Sequence, residues 1–161
     1  VIASCFSLTA CGGSDDGWKT INPPGTQCTF ELPEPVNNPP REGYKMYETE
    51  FEKNKKIQVG IFPRPAADPA KGDAELLNEF EQSSIAQIQD NLTKSGFDPQ
   101  LQFDGDLAVE GGLGQQIKIL AGDQFVTTLF YLTPRGLYFV KIDNADQTDP
   151  TIDRFMKSFE P

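Results

Sequence analysis

Asp104 and Asp106, on either side of Gly105, are the pair of side chains whose type and spacing come nearest to a reaction. Two carboxyl groups on one face of a strand can act as acid and base in glycoside hydrolysis when their separation is right. The intervening glycine makes a turn the simpler account. A second oxygen-rich segment runs from Asp143 through Asn144, Asp146 and Asp149 to Asp153. Asp143, Asp146 and Asp149 are its candidate calcium ligands, since calcium takes carboxylate and amide oxygens. Ala145 stands where an EF-hand loop needs its third-position ligand, and the sixth-position glycine is missing. A solvated turn followed by a helix cap explains the same residues more simply. Gly111-Gly112-Leu113-Gly114 has the look of a phosphate loop but lacks the Lys-Ser/Thr that would follow. A strand pattern comes next instead, so a hairpin turn or bulge is expected there.

What the chain lacks narrows the chemistry further. It has no histidine, which removes Ser-His-Asp and Cys-His catalysis and the histidine-containing zinc sites. Beyond Cys11 the one remaining cysteine is Cys28, so a thiolate metal site or a dithiol redox pair cannot be assembled there. Cys28 is expected to be a buried, unreactive side chain. No catalytic residue and no cofactor are therefore assigned.

Leu8-Thr9-Ala10-Cys11 closes a short apolar stretch and has the form of a bacterial lipobox. Residues 1–10 read as the remnant of a signal peptide, cut before a Cys11 that would carry the lipid. Acyl chains contribute about 0.8 kcal/mol per buried methylene, and two or more anchor stably. Residues 11–25, opening Gly12-Gly13-Ser14-Asp15-Asp16-Gly17, read as a small, polar tether. Residues 26–161 are left as one domain. The expected location is the extracytoplasmic side of a cell envelope. Gly12 after the cysteine favours the periplasmic face of an outer membrane in enteric-type bacteria. Trp18 is expected either to dock back on the domain or to rest at the membrane interface.

The formal net charge is −10, which argues against nucleic acid as a partner and against attraction to anionic lipid. Lys53, Lys55 and Lys56, with Arg64 further on, form the main basic concentration and read as a solvated hairpin tip.

The elements that must position these residues follow from periodicity. Nine of the 13 prolines lie between Pro23 and Pro69 and divide the first half into short extended pieces. Cys28–Leu32, Tyr44–Phe51 and Lys56–Phe62 read as strands, the last two forming a hairpin. From Asp73 to Ser95, Leu77, Phe80, Ile85, Ile88 and Leu92 share a helical face, with Asp73 as expected N-cap and Gly96 as stop. Strand patterns return at Gln116–Leu120, Phe125–Leu132 and Leu137–Ile142, joined by short turns that predict an antiparallel meander. A last helix starts from Asp149 and Pro150, with Ile152, Phe155, Met156 and Phe159 on one side. The fold class expected is α+β, a single antiparallel sheet flanked by two amphipathic helices.

Certain local sequences within these elements carry a resemblance. Phe30-Glu31-Leu32-Pro33 opens the domain, Gly136-Leu137-Tyr138-Phe139-Val140 forms a late strand, and Phe155-Met156-Lys157-Ser158-Phe159 closes it. In these the chain resembles the PsbP-like superfamily over about residues 26–161, and its N-terminal signal is similar in kind to that of the DcrB-type bacterial lipoproteins. The resemblance implies an α/β/α-type sandwich and a non-catalytic role in binding or assembling an envelope protein. It brings no catalytic motif with it. The expected contact surface on the sheet is drawn from Phe125, Thr127, Leu129 and Tyr131 or their alternates. A calcium or small-ligand module using the acidic segment is the alternative reading, and a hydrolase using Asp104 and Asp106 a more distant one.

Overall fold

The computed structural model describes residues 16–66 and 70–161, apart from the side chains at 103 and 104. Four strands come first: β1 (Trp18–Ile21), β2 (Phe30–Pro33), β3 (Lys45–Glu52) and β4 (Lys55–Phe62). Helix α1 (Asp73–Lys94) separates them from β5 (Gln100–Leu107), β6 (Leu113–Ala121), β7 (Gln124–Thr133) and β8 (Gly136–Asp143), and α2 (Pro150–Ser158) ends the order. Strands β3 to β8 form one six-stranded antiparallel sheet in the order β3-β4-β8-β7-β6-β5.

The expected α+β class and the meander are both present, but the sheet is not single. β1 and β2 form a separate two-stranded ribbon. Residues 18–21 were expected inside a flexible tether. They are held as a strand because Ile21 is buried with Phe30 and Leu32 of β2 in the core. Trp18 docks back on the domain, its indole lying under the Arg154 guanidinium at 4.2 Å.

Alternation along the strands divides the core between the two faces of the large sheet. Tyr138, Val140 and Ile142 of β8 pack with Phe30 and Leu32 of the ribbon and with Ile152 and Phe155 of α2. Leu137 and Phe139 point the other way, to the side where Leu77, Ile85 and Ile88 of α1 cover Ile117, Ile119 and Phe130. Ribbon and α2 therefore form one outer layer and α1 the other. β7 lies between both, and every residue from Val126 to Thr133 is buried.

The helix ends show which punctuation operates. Asp149 is the N-cap of α2 as expected, accepting from the Thr151 N–H at 2.9 Å, with Pro150 next. Asp73 is not a cap. It is the first residue of α1, whose N-cap is Gly72, and its carboxylate pairs with Arg64 instead. Gly96 ends α1 with φ +88, a conformation glycine adopts without strain. Phe159 lies just past α2 in extended conformation, still packed against Phe30 and Tyr131. Asp149 also holds Lys55 at 2.8 Å. Asp149→Ala should therefore lower stability by about 1–2 kcal/mol in urea titration. No change in midpoint would mean that neither contact matters.

Candidate functional site

Asp106 lies on β5 rather than in a turn, opposite Gln115 of β6. The two share the sheet face that α1 covers, two residues along from Ile117. The strand was hidden by its polar composition and by an irregularity between Phe103 and Gly105. The expectation for the Asp104 side chain lies outside the described residues. Asp106 meets a different carboxyl group, Glu81 of α1. Glu81 occupies a position on the helix's buried stripe, four residues from Leu77 and four from Ile85, and is only 3% exposed. The Gln115 amide nitrogen, turned toward α1, donates to the Glu81 carboxyl group.

Burial first, then the charge of Asp106, pushes Glu81 up from 4.5 to about 7. These groups border a cleft of about 310 Å³ that Ala74, Asn78 and Gly112 also line. An acid titrating near neutrality beside a second carboxylate is the raw material of general acid–base chemistry. Here the raised acid is bound back to Gln115 at the helix–sheet interface. Reaction also needs a nucleophile or convergent donors at the same point. What the arrangement does chemically is store a proton inside the packing of α1 on the sheet.

The glycines beside this cleft have a packing reason. Gly111 turns the β5–β6 connection with φ +67. A Cβ on Gly112 would stand 2.4 Å from the Leu132 carbonyl oxygen, and one on Gly114 would stand 2.8 Å from a Val109 methyl. They form a tight hairpin entry against β7, as the missing P-loop residues lead one to expect.

The acidic segment after β8 is engaged residue by residue. Asp143 pairs with Lys141 at 2.7 Å. Asp146 accepts from the Thr148 N–H and hydroxyl at 2.9 and 2.6 Å, and these bonds hold its carboxyl group below the usual range. Asp149 caps α2 and binds Lys55. Among the described residues no three His, Cys, Asp or Glu side chains converge on a point that could hold a metal ion. Asn144, with φ 55, accepts from the Phe125 N–H and donates to the Asn54 carbonyl. It thereby ties the tip of the β3–β4 hairpin to the start of β7.

Two of the three hairpin-tip lysines are engaged in the same way. Lys55 bridges Glu52 and Asp149, and Lys56 pairs with Glu48. Cys28 is buried and free, and burial pushes its thiol up to about 12. It is inert at neutral pH.

Three of the four expected contact positions on β7 are corrected, while Phe125, at the start of the strand, is half-buried. Thr127, Leu129 and Tyr131 are 6%, 1% and 5% exposed, because β7 is central and covered on both faces. Exposed large apolar side chains occur on the β5–β6 hairpin instead: Leu101 at 52%, Leu113 at 38% and Leu120 at 39%. β5 is an edge of the six-stranded sheet. The opposite edge, β3, is partly covered by a bridge between Glu48 and Asn37.

No protein-family model matches the chain, and neither does any curated protein. Among solved structures it is similar to the solution structure of cyanobacterial PsbP (CyanoP) from Synechocystis sp. PCC 6803. The TM-score is 0.59 and the identity 14%, over 99% of this chain and 98% of that one. The fold is PsbP-like.

Proposed function

We propose that the protein is a lipid-anchored envelope module of the DcrB type that binds another envelope protein without catalysis. The observation that carries this reading is the concentration of exposed leucines on the hairpin that ends the sheet. An edge strand offers unpaired N–H and C=O groups to an incoming strand, and nearby apolar side chains add affinity. Before its irregularity at residue 104, β5 presents Gln100-Leu101-Gln102-Phe103, a run without lysine or proline to block pairing. The lipobox at Leu8–Cys11 supplies the anchor in this reading. No helix among the described residues is long and apolar enough to cross a membrane.

Chemical crosslinking in native membranes, followed by mass spectrometry, tests the proposal. One envelope partner should be recovered in near-stoichiometric amount, crosslinked through the β5–β6 hairpin. Leu101→Lys places a charge on the open edge and should reduce that recovery at least tenfold without altering the melting temperature. Recovery of the protein alone, or recovery unaffected by Leu101→Lys, would overturn the proposed mode of binding.

A further inference from the structure

A cavity of about 780 Å³ lies on the side of the sheet that carries α2, and its lining shares only Leu107 with that of the carboxyl cleft. Its walls are the end of β5 and the segment after it, with Leu107 and Val109, and the end of α2 and the residue after it, with Met156 and Phe159. Tyr131 lines it from β7, its ring 5.3 Å from that of Phe159. Sites of this size and lining accept small organic ligands, with a few polar groups setting their orientation.

Tyr131 supplies such a group. It is 5% exposed, yet its hydroxyl forms no hydrogen bond with the described residues. A buried tyrosine hydroxyl normally finds a partner. Tyr138, facing Tyr131 across the strand pair, does so through Thr133. No side-chain polar atom of the described residues is both sealed from solvent and unsatisfied. The Tyr131 hydroxyl is therefore open, and its residue opens onto this cavity. The rim carries both signs of charge. Arg135, in the β7–β8 turn, forms no ion pair with the described residues, and Glu110 and Glu160 also line the opening.

We infer that this cavity binds a short apolar peptide with free ends, of about three residues. The apolar side chains would lie on Leu107, Val109, Met156 and Phe159. The carboxylate would take the Tyr131 hydroxyl and the Arg135 guanidinium, and the ammonium would face Glu110 and Glu160. A fatty acid would fill the apolar walls but leave both glutamates opposed to an anion-bearing ligand, so it fits less well.

The test is calorimetric titration of the whole protein with the tripeptide Leu-Phe-Leu, its C-terminal amide, and decanoate. Leu-Phe-Leu should bind at one site, and amidation should weaken it about tenfold. Tyr131→Phe should weaken it several-fold while leaving the melting temperature unchanged or higher, because the hydroxyl it removes has no partner. Arg135→Ala should weaken the tripeptide but not its amide. Decanoate binding without tripeptide binding would overturn the ligand class. A fall in stability on Tyr131→Phe, or no binding of any probe, would overturn the site.

Discussion

Glu81→Gln is expected to stabilise the protein by about 3 kcal/mol at pH 8 and to leave it almost unchanged at pH 4. Glu81 has an ordinary value of 4.5 and stands at about 7 in the folded protein. Between those values the folded state holds a proton that the unfolded state has released. Stability therefore falls as pH rises from 4.5 to about 7 and is flat above, where both states are ionised. At the full shift the loss is about 3 kcal/mol, taking 1.36 kcal/mol for each pH unit. Glutamine stays neutral throughout, so the variant should show no slope from this position. Urea titrations of both proteins from pH 4 to 8 measure the difference. A wild-type midpoint constant across pH 4.5–7 would show that Glu81 is ionised without penalty. Asp106→Asn should recover part of the loss at pH 8, since its charge is the second cause of the shift.

Phe30→Ala should have an effect of similar or larger size, a loss of about 3–5 kcal/mol independent of pH. Phe30 is fully buried and places its ring edge-on to Tyr47 at 5.8 Å and to Phe155 at 6.3 Å, with Phe159 at 5.9 Å. It joins the ribbon, the large sheet and α2. Alanine leaves a cavity among three elements that cannot all close upon it. The melting temperature should fall by roughly 10 °C for a domain of this size. A drop of only a degree or two would mean that ribbon and helix repack freely around the gap.

These two residues also show what the amino-acid order makes legible. Phe30 sits in an alternating strand stopped by proline, and Asp149-Pro150 opens α2 with its own cap. Both were readable because the local signal and the tertiary role agree. Glu81 is a glutamate on an apolar stripe between Leu77 and Ile85, so helical periodicity alone could have marked it. Periodicity places it on the stripe but gives no indication that its carboxyl group is buried rather than exposed at the stripe's edge. β5 is illegible in the sequence because an edge strand need not bury one whole face, and its aspartates and Gly105 imitate a turn. The β7 surface failed for the opposite reason. A strand covered on both sides buries its length, here from Val126 to Thr133, so neither face of that stretch is left to meet a partner. The partnership of Asp106 with Gln115 and Glu81 depends on register and on α1 crossing the sheet, which no local window contains.

Arg154 of α2 holds Asp16 at 2.7 Å and Glu31 at 2.9 Å while stacking on Trp18. For a chain lipidated at Cys11, this clamp sets the length of the leash. About five residue steps separate Cys11 from Asp16, at most roughly 18 Å of extended chain. The domain would ride within a few molecular radii of the bilayer with its α2 side nearest the leash. Cutting the clamp with Arg154→Ala would lengthen the arm and widen the arc through which the body can search for whatever it meets at the membrane.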